Sequence, residues 1–429
     1  MTPASADRIL IGECLRWFAG TPRARASFVP ASGLERVDWR WVLRFASRQR
    51  IVPFLLRFLD ETGRTESVPE PFRGLLRITS AQYVDHFRTQ IAGYVELLRE
   101  LDAAGFACMP LKGMALALGT YRDLRFRPMR DVDVLVHETD LPALCRWLCT
   151  RGFDYQALQP DRWRGRIRRR YFHLAIADPS GAAFNTPFNP FGACNPLGRE
   201  SLARGEVRID LHWNPVYVAE GRDVALDTAE LWRTSHDCPS LGTRARLPST
   251  DALLQHLLVH LGDFYSPTLV QLIDCALVIR SEDFQAPGVR ERFASRIAAG
   301  SPPVRRLYDA VLDLGSETWT TEELMARHRD LFDGFFTGTL AWTDQTPART
   351  WLRSVRFALG NGRKLWRFGN GVGRLAFVRD GMLCGLGYFL PEPGFYPATA
   401  YWKACVAHWR QRRVGTKVRT LIGSVLQRS

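Results

Sequence analysis

No apolar run in these 429 residues reaches the roughly 18 residues that a bilayer-spanning helix needs. Leu269 to Ile279 comes nearest, and Asp274 interrupts it. The first twenty residues lack a basic start followed by an apolar stretch and instead contain Asp7 and Glu13, so no secretory signal pattern is visible. The nine cysteines are odd in number, scattered and without a Cys-x-x-Cys pair. That pattern predicts reduced thiols in a cytoplasmic protein. Acids are scarce in one region. From position 345 onward fifteen Lys and Arg face only Asp380 and Glu392, so thirteen of the fourteen net positive charges sit there. The basic balance therefore describes the tail and does not mark the whole chain as a nucleic-acid binder.

What is present reads as ordinary globular protein, 46% hydrophobic and 24% charged, and long enough to predict two or three domains. The first hundred residues pattern as helix. Tyr83, Phe87, Ile91, Tyr94, Leu97, Leu98 and Leu101 recur at steps of three and four and mark one apolar face, which ends near Gly105. Phe106 to Pro110 predicts a strand, Met114 to Leu118 a helix, and Asp131 to Val136 a second strand. A helix follows from Asp140 and Pro142, with Leu141, Leu144, Cys145 and Leu148 on one face before Gly152. Six arginines between Arg162 and Arg170 lead into a predicted strand, Tyr171 to Ala177, and a proline- and asparagine-rich loop, Asp178 to Gly198. Val207 to Trp213 is another short apolar run. Helices are predicted from Ser249 or Thr250 to Gly262 and from Thr268 to about Arg280.

The chemistry concentrates in two places. Leu111-Lys112-Gly113-Met114 reads as a tight glycine turn, and Arg127-Pro128-Met129-Arg130-Asp131-Val132-Asp133-Val134-Leu135-Val136 as a basic approach to an acidic strand. Side chains alternate along a strand, so Asp131 and Asp133 would share a face with Cα atoms about 6.5–7 Å apart, while Val132, Val134 and Val136 face the core. Two carboxylates on one face repel unless something positive lies between them, and a hard divalent cation with oxygen ligands meets that need. A third ligand should come from a neighbouring strand. Asp210, between Ile209 and Leu211, fits.

Taken together, L-K-G, Tyr121, R-P-x-R-D-V-D-V-L-V and D-L-H-W resemble the uncharacterised nucleotidyltransferase family of the DNA-polymerase-β-like nucleotidyltransferase superfamily, over roughly Phe87 to Ile279. The resemblance implies an α+β fold, a short mixed sheet with helices flanked by helical N- and C-terminal regions. It divides the chain into a helical region 1–104, a nucleotidyltransferase core 105–217, a helical domain 218–344 and a basic tail 345–429. It implies Mg²⁺-dependent transfer of a nucleoside monophosphate from an NTP to a hydroxyl or phosphate acceptor, with nothing selecting ATP over GTP, CTP or UTP. Asp131, Asp133 and Asp210 carry over as catalytic metal ligands for two Mg²⁺ ions, with Mn²⁺ as a substitute, and Gly113 as the turn residue. Lys112, Gly113, Arg127 and Arg130 are the candidates for nucleotide and phosphate. One departure is that Met114 follows the glycine where the superfamily usually has a small hydroxyl residue.

Other readings of the same residues stay open. A non-catalytic nucleotide- or partner-binding protein, or a metal-dependent nucleotide-sugar glycosyltransferase, also fits a D-x-D strand. His212 shares a strand face with Asp210, so it either reaches the acceptor or the metal's surroundings or is a hydrogen-bonded structural histidine. His256 and His260 are four apart on a helix without the intervening Glu of a zinc motif, which favours packing. Cys145 and Cys149 read as core thiols. The Arg162 to Arg170 cluster suits either an anionic substrate or a solvated loop. In the tail, Trp366, Phe368, Trp402 and Trp409 between cations suit stacking on single-stranded nucleic acid, an anionic membrane surface, or a helical end-piece with exposed arginines.

Overall fold

The computed structural model of the chain describes residues 6–31, 33–121, 127, 129, 131–155, 199–204, 207–213, 216–219, 222–263, 268–298 and 302–337. The arginine cluster, the strand predicted at Tyr171 to Ala177, the loop after it, Arg130 and the basic tail lie outside the described residues. In chain order the main elements are α1 (Ala6–Ala19), α2 (Trp39–Gln49), α3 (Val52–Glu61), α4 (Glu70–Ala103), β1 (Cys108–Pro110), α5 (Lys112–Gly119) and β2 (Val132–Val136). They continue with α6 (Leu141–Thr150), β3 (Asp154–Tyr155), β4 (Arg199–Arg204), β5 (Val207–His212), α7 (Thr250–Asp263), α8 (Leu269–Arg280), α9 (Pro302–Leu314), α10 (Thr321–Arg327) and α11 (Arg329–Thr337). The fold is α+β, mostly helical with a small mixed sheet. No described helix is long and apolar enough to cross a membrane.

Contacts group the chain into two units, Met1–Asp133 with Tyr217–Thr343, and Val134–Val216 with Asp344–Ser429. The division falls inside β2, one unbroken strand of the five-stranded sheet ordered β1-β2-β5-β4-β3. In the first unit α1 buries Leu10, Ile11, Cys14, Leu15 and Phe18. Each fully buried apolar side chain of that size contributes about 1.5–3 kcal/mol before the cost of ordering it. Helix α2 starts where the Asp38 side chain accepts from Trp41 N–H at 3.1 Å. It ends where Arg50 turns left-handed. Helix α4 buries Phe87, Tyr94, Leu97, Leu98 and Leu101, as the periodicity predicts, and begins earlier, at Glu70. Gly105, at φ 87°, makes the turn out of it.

In the second unit α6 buries Leu141, Leu144, Cys145 and Leu148. Antiparallel β4 and β5 pair in a register that sets Ser201 opposite Asp210. All five residues of β2 are buried, so both of its faces are covered. A strand lying between two others behaves this way, and the expected contrast between a core face and an open acidic face is therefore muted.

The strand β1, which delivers the chain to the Lys112 turn, is held from below by a loop far along the sequence. Asp102, at the end of α4, accepts the backbone N–H groups of Thr243 (3.1 Å), Arg244 and Ala245 (3.2 Å). Ala245 in turn forms a parallel bridge with Cys108 of β1. Gly242 has φ 142°, and a Cβ there would lie 2.1 Å from the Asp102 carboxyl carbon. Asp102→Ala and Gly242→Ala should each lower the urea midpoint, by about 1–3 kcal/mol in stability. The double variant should lose less than the sum, because one contact is removed twice.

Candidate functional site

The site is assembled from the turn after β1 and from the two strands that carry the acids. Leu111 N–H donates to the Asp133 carbonyl at 2.8 Å, which fixes the turn beside β2. The next residue, Lys112, opens α5 with φ 44°, a left-handed conformation that a lysine adopts only under constraint. The turn carries the buried Lys112 ammonium to Asp133, Nζ to Oδ1 at 2.6 Å. Gly113 follows, and a Cβ there would meet Met129 Sδ at 2.7 Å, so a larger residue would require that methionine side chain to shift. Met114, the residue that departs from the superfamily pattern, is buried.

Asp133 is 9% exposed and His212 fully buried. With Asp210, on the same strand as His212, they offer three ligand atoms that all lie within 4.8 Å of one another. Two carboxylate oxygens and an imidazole nitrogen around one divalent ion, at about 2.0–2.3 Å each, would be at most about 4.6 Å apart, and a spacing within 4.8 Å is compatible with that arrangement after small side-chain adjustment.

Asp131 is not in that group. It sits in the bend just ahead of β2. Burial, with the charge of Asp133 beside it, pushes its carboxyl above the ordinary value, while Lys112, Arg50 and Arg127 pull against that shift.

Arg127 is 8% exposed, and its guanidinium is paired with Asp274, which is fully buried in the middle of α8. Nε lies 2.8 and 2.9 Å from the two carboxylate oxygens and Nη2 2.8 Å from Oδ2. Tyr121 donates its hydroxyl to Asp274 Oδ1 at 2.7 Å. Burial alone would depress the charge on Arg127, but Asp274 more than compensates and holds the guanidinium protonated. Burial and the neighbouring carboxylate push the Tyr121 hydroxyl well up, so it remains a donor. The pair fastens the segment between α5 and β2 to a helix about 150 residues further on.

Of the candidates read from sequence, Asp133, Asp210 and His212 are brought together, Lys112 joins them through Asp133 and itself takes the left-handed turn, while Gly113, expected as the turn residue, lies inside α5. Asp131 stands one residue before the strand, Arg127 is engaged by Asp274, and Arg130 lies outside the described residues. Sequence reasoning did not see that Asp274 and Tyr121 partner Arg127; the one signal was an Asp in the middle of an apolar helix. It also did not see Arg50. His260 is held by Gln271, Nδ1 to Nε2 at 3.0 Å, as packing predicts. Cys145 is buried, and burial with Asp154 nearby raises the Cys149 thiol.

Asp274→Asn leaves a buried guanidinium without its countercharge and should cost about 3–5 kcal/mol, read as a fall in the urea midpoint. Adding Arg127→Met should recover much of that loss, because both charges then leave together. An unshifted midpoint in the single variant would contradict the pairing.

The model of the family described as uncharacterised nucleotidyltransferase matches residues 35–299, a span that takes in α2 to α8 and every strand of the five-stranded sheet. No curated protein matches the chain.

Proposed function

The chain belongs to the uncharacterised nucleotidyltransferase family, and from that premise we propose that it moves a nucleoside monophosphate from an NTP to a hydroxyl or phosphate acceptor with the help of Mg²⁺ or Mn²⁺. The observation that carries this reading is the convergence of Asp133, Asp210 and His212 within 4.8 Å, with the Lys112 ammonium against Asp133.

Asp133 and Asp210 would hold the cation, with His212 beside them and Asp131 extending the acidic surface towards the nucleotide. A divalent cation there neutralises phosphoryl charge and lowers the pKa of an acceptor hydroxyl. The protein's own part is to position and to exclude. Lys112, at the start of α5, and the backbone N–H groups of that first turn favour phosphate oxygens. The strain at Lys112 fixes its direction in advance, so little order has to be gained on binding. Burial of Asp133 and His212 keeps water from screening these charges. In the reaction an acceptor oxygen forms a bond to the α-phosphorus, the bond from that phosphorus to the bridging oxygen breaks, and pyrophosphate leaves. Arg127, held by Asp274, stabilises the segment that ends in Asp131 and Asp133.

An imidazole among the ligands suits Mn²⁺ better than Mg²⁺, so both ions belong in the assay. Pyrophosphate release from each of the four NTPs, with a cell extract as acceptor pool, should be seen with the wild type and fall at least about a hundredfold in Asp133→Asn and Asp210→Asn. Asp210→Asn should keep the circular dichroism and urea midpoint of the wild type, whereas Asp133→Asn, which takes the countercharge from the buried Lys112 ammonium, should keep the circular dichroism at the assay temperature with a lowered urea midpoint. Equal release by variants and wild type would exclude these carboxylates from the chemistry. Stabilisation by UDP-sugars with Mn²⁺, without pyrophosphate release, would move the reading to sugar transfer.

A further inference from the structure

Of the 58 lysines and arginines in the chain only four are lysines, and no other lysine precedes Lys364 in sequence except Lys112. Elsewhere the described structure pairs its buried acids with arginine, Glu13 with Arg64 at 3.1 Å and Asp274 with Arg127 at 2.8 Å. Asp133 is paired with a lysine instead, Nζ to Oδ1 at 2.6 Å. The two cations differ in kind. A guanidinium can fork onto both oxygens of a carboxylate, as Arg127 does on Asp274, whereas an ammonium is a compact point charge that turns easily from one acceptor to another.

The backbone fixes the root of this side chain and leaves its flexible stem to carry the charge. Leu111 N–H donates to the Asp133 carbonyl at 2.8 Å, and the Leu111 carbonyl accepts Met114 N–H at 3.2 Å, so the residue before Lys112 is tied both to β2 and to α5. Lys112 itself takes φ 44°, although Gly113, which would adopt that conformation without strain, is the next residue. A lysine is thus held, at a conformational cost, against a carboxylate of the Asp133, Asp210 and His212 cluster, whose ligand atoms lie within 4.8 Å of one another.

We propose that the Lys112 ammonium is a placeholder for the divalent cation. It neutralises Asp133 in the cation-free protein, yields that carboxylate when a cation binds, and turns to the phosphate chain of the nucleotide, so that cation and nucleotide load the site together. The proposal rests on the nucleotidyl-transfer reading of the same site. A carboxylate shielded from water needs a countercharge in every state of the protein. A cation and an ammonium on one carboxylate repel each other where water screens them little. A cation arriving alone therefore works against the lysine and binds weakly. A polyphosphate arriving with it gives the lysine another anion, and that opposition disappears. An arginine at this position would grip both carboxylate oxygens and resist the exchange.

The test uses the full chain, stripped of metal, and measures binding of Mn²⁺ alone by electron paramagnetic resonance and of Mn²⁺–tripolyphosphate by calorimetry, for wild type, Lys112→Gly, Lys112→Met and Lys112→Arg. Glycine suits the left-handed backbone, methionine keeps most of the stem, and both remove the charge. These two variants should bind Mn²⁺ alone roughly ten- to a hundredfold more tightly than wild type, and Mn²⁺–tripolyphosphate more weakly by roughly the same factor. Shifts of opposite sign mark an exchange, because losing a lysine needed only for structure would weaken both. Lys112→Arg should bind Mn²⁺ alone no more tightly than wild type. The two neutral variants should also show a lowered urea midpoint that saturating Mn²⁺ restores, since the cation then supplies the countercharge. Failure of both to fold even in saturating Mn²⁺ overturns the proposal, because the cation could not then stand in for the lysine. Mn²⁺ affinities within about threefold of wild type in both overturn it too, and leave the nucleotidyl-transfer reading intact if wild type binds Mn²⁺–tripolyphosphate. A wild type that binds neither probe overturns that reading and this proposal with it.

Discussion

Burying carboxylates is the constraint around which the first unit is organised. An ionised carboxylate taken from water costs several kcal/mol unless it is paired, and here Asp131 and Asp133 are placed two residues apart where both are largely shielded. Their mutual repulsion adds to that cost. The answer in the structure is a set of cations drawn from widely separated stretches: Lys112 from the turn after β1, Arg127 from the approach to β2, and Arg50 from the end of α2. Two of the three occupy left-handed backbone.

The same reasoning explains why a second ion pair lies behind the first. Arg127 raises positive charge near the acids, but a buried guanidinium is as costly as a buried carboxylate. Asp274 neutralises it with bonds to both its oxygens, and Tyr121 satisfies an oxygen that would otherwise lack a further donor. A pair of this kind adds little net stability over well-packed apolar residues. Its consequence is positional: the chain between α5 and β2 is tied to the middle of α8, and the bend that carries Asp131 inherits that rigidity.

Much of this was legible in the sequence, and what was not has a common physical cause. The long apolar face of α4, the strand from Val132 and the Asp210 strand all come from patterns of two to seven residues, and local pattern reports them; that Lys112 and not Gly113 takes the left-handed turn is not in that pattern. The acids and the L-K-G segment also carry the family resemblance. The partners of those residues could not be read in the sequence. Arg50 lies more than eighty residues before Asp133, and Asp274 nearly 150 after Arg127, and in sequence each is an unremarkable charge at a helix end or inside a helix. The Asp102 clamp on the loop at Thr243 to Ala245 is hidden for the same reason. Periodicity shows which face of an element is buried, and it carries no information about which distant charge will neutralise another.

The arrangement of charge also bears on the choice between catalysis and simple binding. A site that only needs to hold a nucleotide's phosphates is best built from cations and backbone N–H groups, as at helix starts. Adding Asp133 and Asp210 to such a site repels the ligand, and burying Asp133 costs stability that Lys112 only partly restores. Carboxylates converging with an imidazole become favourable when a multivalent cation is part of the bound state, because each then gains a ligand in place of a repulsion. The placement of Lys112 sharpens the point. Its ammonium rests on Asp133 Oδ1, so a cation bound by this carboxylate would compete with the lysine for its charge, and the lysine would then turn to another anion. A triphosphate chain offers that anion to the lysine. Cation and nucleotide are therefore expected to bind with positive coupling.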